Sequence, residues 1–319
     1  MSTIEVLVQA IRMEADGILS FELRSASGSG VSLPGFTAGA HIDVHMREGL
    51  SRSYSLVNDP EESDRYIIAV NLEANGRGGS RFMHAHVRVG EILRISAPRN
   101  NFALFEAARH TVLIAGGIGI TPMLSMIDRL SRIGRPWTLH YCGRSRRTMA
   151  YLAQLEARRR LGADVRSHID VETGGRFIDL TALVADAPDG AHFYCCGPTG
   201  MLAAFEAASG GLPEDRVHVE YFAAREASAL DGGFVVELRR DGRELTVLPG
   251  KSILDTLLEA GVSIEFSCME GICGSCEVKV LAGVPDHRDS VLSGTERAAN
   301  DRMLICCSGS KSSKLVLDL

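Results

Sequence analysis

The chain has 319 residues, 45% hydrophobic and 23% charged, with a formal net charge of −6 at pH 7. This length exceeds one ordinary hydrophobic core and points to two or three domains, while the acidic balance argues against nucleic acid as a main partner. No run approaches the roughly 18 apolar residues that a membrane span needs, and the start MSTIEVLVQAIRMEADG lacks the basic and apolar regions of a secretory signal.

The first block, to about residue 103, is a series of short alternating runs: IEVLVQAI, ILSFELRS, HIDVHM, YIIAV and EILRIS. Turn signals at Asp16-Gly17, Pro34-Gly35 and Asn75-Gly76 break them, which predicts an antiparallel barrel or sandwich. Within it, Arg52-Ser53-Tyr54-Ser55-Leu56 offers a guanidinium, a ring and two hydroxyls. On an extended strand Arg52, Tyr54 and Leu56 share one face, and Ser53 and Ser55 the other. Arginine suits a phosphate and tyrosine a flat ring, although an ordinary exposed strand has the same pattern. Gly76-Arg77-Gly78-Gly79-Ser80 reads as a loop able to close on an anion through backbone amides.

The second block changes period. TVLIA (111–115), WTLHYC (137–142) and HFYCC (192–196) are compact apolar runs, and the helical stretches MLSMIDRLSRIG and MAYLAQLEARRRLG lie among them. This alternation predicts a parallel α/β sheet. The first run enters Gly116-Gly117-Ile118-Gly119-Ile120-Thr121-Pro122-Met123, where Thr121 is expected to cap a helix that opens at Pro122. Glycines ahead of a helix start let a phosphate reach exposed amides. The third run ends in Cys195-Cys196-Gly197-Pro198-Thr199-Gly200, a second glycine turn at the carboxyl edge, where open α/β sheets bind ligands.

The third block follows the polar stretch AAREASALDGG (223–233). FVVELRR-DG-RELTVL is a hairpin signal. SILDTLLEA reads as a short helix with Ser252 as N-cap and Gly261 at its exit. The cysteine loop, strand CEVKVL, and the closing runs MLICC and LVLDL complete a small α+β domain of β-grasp type. Its 14 acidic residues exceed its 10 basic ones from Asp231 onward, so it carries most of the net negative charge and could be steered to a basic partner surface.

Four cysteines carry the most specific signal. Cys268-x4-Cys273-x2-Cys276, followed by Cys306 after 29 residues, is the plant-type spacing for a 2Fe–2S cluster. A zinc site of four cysteines usually pairs two Cys-x2-Cys knuckles, and only one is here. The adjacent Cys307 leaves the fourth ligand open, and the plant-type spacing favours Cys306. Eight cysteines without a disulfide framework fit a reducing compartment, so a cytoplasmic location is expected.

These motifs, in this order, resemble the phthalate dioxygenase reductase family, which belongs to the ferredoxin–NADP reductase superfamily with a plant-type ferredoxin domain fused at the C-terminus. RSYSL fits its flavin signature, GRGGS its flavin-phosphate loop, and GGIGITPM and CCGPTGM its two nicotinamide-nucleotide motifs. The resemblance implies three domains: a flavin-binding β-barrel (1–103), an NAD(P)-binding α/β domain (104–226) and a plant-type 2Fe–2S ferredoxin domain (231–319). It implies that Arg52, Ser53, Tyr54 and Ser55 hold FMN, with Ser55 near its N5, and that Gly78, Gly79 and Ser80 bind its phosphate. Gly117, Gly119, Thr121 and Gly197 would line the dinucleotide site, with Cys196 near the nicotinamide; Ser55 and Cys196 are the expected catalytic pair. Cys268, Cys273, Cys276 and Cys306 would hold the cluster. The implied donor is NADH, with NADPH left open because Arg144, Arg146 and Arg147 follow the second α/β strand. The implied function is the reductase component of a Rieske-type oxygenase or demethylase system. A reductase for a haem-thiolate monooxygenase is the alternative.

Overall fold

The computed structural model describes residues 3–28, 30–47, 50–74 and 76–319. Asn75 of the expected turn pair lies outside the described residues. The chain divides into two compact units, Met1–Glu220 and Tyr221–Leu319.

The first unit opens with six strands: β1 (Ile4–Ala15), β2 (Ile18–Ser25), β3 (His41–Arg47), β4 (Leu50–Ser55), β5 (Tyr66–Asn71) and β6 (Ile92–Ile95). They pair antiparallel in the order β4-β3-β6-β1-β2-β5, and a bridge from Leu56 to Ile68 joins the two ends into a closed barrel. Alternation sets which side chains face in. Val6 and Val8 are fully buried while Glu5 and Gln9 are exposed, as period-2 patterning requires. GRGGS is not wholly a loop: Gly79 and Ser80 begin helix α1 (Gly79–Ala85), entered from Gly78 in the left-handed region (φ +93°).

The second sheet holds β7 (Thr111–Gly116), β8 (Trp137–Gly143), β9 (Asp164–Ile169), β10 (His192–Cys196) and β11 (Val217–Glu220), all parallel, in the order β11-β10-β7-β8-β9. Every residue of β7 is buried, as a central parallel strand covered on both faces must be. Helices α2 (Ile120–Arg132), α3 (Leu152–Arg160), α4 (Leu180–Ala185) and α5 (Thr199–Ser209) connect the strands. The expected cap at Thr121 is corrected. A 3-10 turn over Gly117–Gly119 leads straight into α2, Gly119 is its N-cap, and Thr121 and Pro122 lie in the first helical turn. Proline is tolerated there because first-turn amides have no intrahelical acceptor to lose.

Barrel and parallel sheet share one core. Ala15, Ile18, Val57 and Phe102 pack in the same cluster as Leu113, Met123, Met126 and Tyr141. Polar contacts reinforce it: Gly39 N donates to Ser125 Oγ at 3.1 Å, and Phe105 N to Tyr194 Oη at 2.7 Å.

The second unit is a mixed sheet of β12 (Phe234–Leu238), β13 (Glu244–Val247), β14 (Glu277–Ala282), β16 (Arg302–Leu304) and β18 (Lys314–Leu317), in the order β13-β12-β18-β14-β16. A separate pair, β15 (Pro285–Asp286) and β17 (Gly309–Ser310), stands beside it. The first and last strands, β12 and β18, run parallel at the centre, the β-grasp arrangement. Helix α6 (Ile253–Glu259) starts at Ser252 in a full capping box with Asp255, and Gly261 follows its end at φ +72°. Helix α7 (Gly294–Ala299) is capped the same way by Ser293 and Glu296.

Candidate cofactor sites

In the barrel, β4 carries the Arg52-Ser53-Tyr54-Ser55 run beside β3, pairing Ser53 with Asp43 and Ser55 with His41. Ser53 Oγ donates to Asp43 Oδ1 at 2.6 Å, and Arg99 Nη2 meets the other carboxylate oxygen at 2.5 Å. Burial alone would raise the Asp43 carboxyl, but Arg99 and the Ser53 hydroxyl outweigh it and hold it below the ordinary range. His41 is pushed down to about 4 by burial, against the pull of Asp43, so it stands neutral. A buried, bonded floor of this kind fixes the backbone of β4.

Arg52 lies across the start of α1. A Cβ on Gly79 would fall 2.6 Å from Arg52 Cγ, so glycine is required for the arginine stem to rest there. The flavin signature and the phosphate loop are thereby brought together, with Gly78 open to its surroundings and Ser80 Oγ accepting from Glu73 N at 3.0 Å. Burial raises the Tyr54 hydroxyl, so the phenol stays neutral. Among the described residues, no hydrogen bond joins Ser55 to Cys196 or to either glycine turn.

The strand order of the parallel sheet reverses between β7 and β10: one branch of the chain builds outward to β9, the other to β11. That switch point is where an open α/β sheet forms its crevice. Both glycine turns stand at its carboxyl edge, and they interlock. A Cβ at Gly119 would run into the Cys196 carbonyl, 2.5 Å from its carbon, and one at Gly197 would lie 3.0 Å from Gly116 Cα. Gly117, by contrast, has φ +55° and open space beside it. Gly119 and Gly197 therefore let two backbones touch, while Gly117 faces outward. Thr121 is buried, its hydroxyl donating to Ile118 O at 3.0 Å.

Cys196 is fully buried, and burial, with Glu220 and Cys195 nearby, raises its thiol well above the usual range. It is a neutral packing group as much as a chemical one. Sequence reasoning missed Glu220, which pairs in register with Cys196 at the end of β11. Burial pushes its carboxyl up to about 8, and among the described residues Oε2 has no hydrogen-bond partner. The available signal was an acidic residue closing the apolar-alternating run VHVE at the carboxyl edge.

In the second unit, Cys268, Cys273, Cys276 and Cys306 are all buried. The Cys268 thiol lies within hydrogen-bonding reach of Cys273 and Cys306, and the Cys306 thiol reaches Cys307. Ile305 N donates to Cys276 O at 3.4 Å, which lays the Cys306 segment beside Cys276. Glu270 N points at Cys268 Sγ at 3.3 Å, and Gly271 and Gly274 take φ +69° and +76° so that the loop can turn. A Cβ on Gly271 would lie 2.5 Å from Cys307 Sγ, which places Cys307 behind the loop. Among the described residues no group of three or more side chains is placed to hold a single metal ion. Four thiols with an amide aimed at sulfur fit the donor set of a 2Fe–2S cluster. Among the described residues no cysteine is in a disulfide, and no helix is long and apolar enough to cross a membrane.

Comparison with known proteins agrees with this geometry. The 2Fe-2S iron-sulfur cluster binding domain family matches residues 236–310, and the oxidoreductase NAD-binding domain family matches residues 113–207. Phenoxybenzoate dioxygenase subunit beta of Ectopseudomonas oleovorans is 53% identical, over 100% of this chain and 98% of the relative. Tetrachlorobenzoquinone reductase of Sphingobium chlorophenolicum is also 53% identical, with the same coverage. An intact type IV self-sufficient cytochrome P450 monooxygenase matches at 41% identity and TM-score 0.89; 99% of this chain is covered, and it spans 41% of that longer chain. Phthalate dioxygenase reductase, described as a modular structure for electron transfer from pyridine nucleotides to [2Fe-2S], matches at 36% identity and TM-score 0.74, covering 100% of this chain and 98% of its own. The expected 2Fe–2S cluster and nicotinamide dinucleotide agree with the two family matches. The chain belongs to the phthalate dioxygenase reductase family of NAD(P)H-dependent flavin and iron–sulfur oxidoreductases, the reductase components of oxygenase systems.

Proposed function

We propose that the chain is the reductase of a Rieske-type oxygenase or demethylase system, taking electrons from NADH and handing them to a terminal oxygenase. The observation that carries this reading is the match, along the whole of both chains, to phthalate dioxygenase reductase. The 53% identity to a dioxygenase subunit supports it. The flavin module is assigned to 1–103, the nucleotide module to 104–226 and the cluster module to 231–319. A cytoplasmic location is supported by eight cysteines, none of them in a disulfide among the described residues.

When bound, the cofactors supply the chemistry: nicotinamide gives electrons in pairs, flavin can release them singly, and the cluster accepts one. The chain's own work is placement. Arg52 is assigned to the flavin phosphate with Gly78, Gly79 and Ser80, while Ser53, locked to Asp43, keeps Tyr54 and Ser55 in register for the ring. Gly117 and the α2 N-terminus offer amides to the dinucleotide phosphates. Cys196 and the neutral Glu220 carboxyl pair at the carboxyl edge of the sheet, so no fixed charge stands beside the place assigned to the nicotinamide. Cys268, Cys273, Cys276 and Cys306 are assigned as cluster ligands.

The close match to a P450 monooxygenase chain favours a second reading, a haem-thiolate acceptor. Both are tested by anaerobic reconstitution: NADH and the reductase are mixed with a Rieske oxygenase, a cytochrome P450 or a chlorinated benzoquinone, and acceptor reduction is timed. Rapid turnover with the Rieske partner supports the proposal. Reduction of the P450 or the quinone alone would replace it.

A further inference from the structure

The adenosine end of the nucleotide site carries a charge clamp. In an open α/β sheet whose first turn holds the phosphates, the end of the next strand reads the ribose: a carboxylate accepts a 2′-hydroxyl, an arginine takes a 2′-phosphate. Here β8 ends at Gly143, next to β7, and is followed by Arg144, Arg146 and Arg147. Three arginines at this edge would suit a 2′-phosphate, yet two of them are already engaged.

Arg146 Nε and Nη2 donate to the two carboxylate oxygens of Glu172 at 2.6 and 3.2 Å, and Nη1 donates to Glu156 at 2.5 Å. That fork-to-fork contact occupies the guanidinium edge a phosphate would need. Arg147 Nε donates to Asp16 at 2.9 Å. Glu172 arrives from the short 3-10 turn after β9, and the turn is held in place: Val171 N donates to Arg144 O at 3.2 Å, and Gly175 N to Asp170 O at 2.8 Å. Three carboxylates, of Glu172, Glu156 and Asp16, thus face Arg146 and Arg147, so this pair presents no net positive field to a dianion.

We propose that Glu172, by clamping Arg146, sets the nucleotide preference: the site accepts a ribose 2′-hydroxyl and rejects a 2′-phosphate. This rests on the NADH-reductase reading above. An exposed ion pair of this kind adds little to stability, so its removal leaves the fold intact and shows its effect on selectivity.

The test compares NADH and NADPH as donors for ferricyanide reduction by the flavin- and cluster-loaded full chain. Glu172→Gln is expected to raise kcat/KM for NADPH about tenfold, mainly through KM, and to lower that for NADH about threefold. The NADPH gain should shrink as salt is raised and vanish in the Glu172→Gln, Arg146→Gln double variant. A NADPH to NADH ratio unchanged by Glu172→Gln, or a wild-type chain that prefers NADPH, overturns the assignment. A wild-type chain that draws electrons from neither nucleotide overturns the reductase reading along with it.

Discussion

The Cys196 carbonyl occupies the space that any side chain at position 119 would need. A Cβ on Gly119 would lie 2.5 Å from the carbonyl carbon and 2.9 Å from Gly197 N. Gly119 is the N-cap of α2 with φ −61°, an ordinary helical value, so alanine would meet no backbone strain there. The clash decides the sign. Gly119→Ala is expected to cost roughly 1–3 kcal/mol net and to raise the KM for NADH by separating the two turns. A thermal melt with NADH kinetics checks this, and an unchanged melt would show that the contact is slack.

Arg52 rests its stem on Gly79 and is the assigned phosphate ligand. Arg52→Ala should weaken flavin retention about tenfold or more, since a bidentate phosphate contact is lost. Fluorescence of released flavin on dilution measures it. A variant that purifies fully flavinated would remove Arg52 from the site.

Cys273→Ser should abolish the cluster, because serine oxygen is a poor substitute for a thiolate, while the flavin is still reduced by NADH. The visible spectrum would keep flavin bands and lose the broad cluster absorption. Loss of flavin reduction as well would mean the variant disturbs more than the cluster.

Cys196→Ala should slow flavin reduction by NADH with the flavin still bound, as the thiol assigned a place beside the nicotinamide is removed. Stopped-flow absorbance under anaerobic conditions gives the rate. A rate equal to wild type would reduce Cys196 to a buried packing residue.

Histidines give the chain an acid limit. Burial lowers His41, His140 and His218 to about 4, and lowers His110, His168 and His192 as well. Two pairs stand ring to ring, His140 with His168 at 3.1 Å and His192 with His218 at 3.3 Å, where two positive charges would repel. Between the ordinary histidine range near 6.5 and about 4, the folded chain binds fewer protons than the unfolded one. Stability is therefore full above that range and lost as the pH falls through it. Melting temperatures at pH 7, 6 and 5 should fall by several degrees, and a flat profile would contradict the neutral pairs.

Much of this was legible because it is local. Alternation named the barrel strands, an uninterrupted apolar run named β7, and Ser252 and Gly261 marked both ends of α6. The misses have physical causes. Strand β9, DVRSHI, is an edge strand with polar side chains, and only its place beside β8 makes it a strand. The α2 start moved because Gly117–Gly119 already winds as a 3-10 turn. Helix α1 was hidden by the glycines that open it. Asp43 and Glu220 are separated in sequence from Arg99 and Cys196, the groups they meet, and no motif points to a carboxyl enclosed by distant strands.

The core shared by the barrel and the parallel sheet makes the two inseparable in folding. Cutting between residues 103 and 104 would strand Phe102, Val57, Leu113 and Met126 in water, and the two fragments would be prone to aggregate. The second unit, Tyr221–Leu319, has a core of its own, built from residues such as Phe234, Leu254, Met303 and Leu315. The barrel and the parallel sheet must therefore fold as one cooperative body, whereas the second unit carries the apolar cluster that an independent folding unit needs.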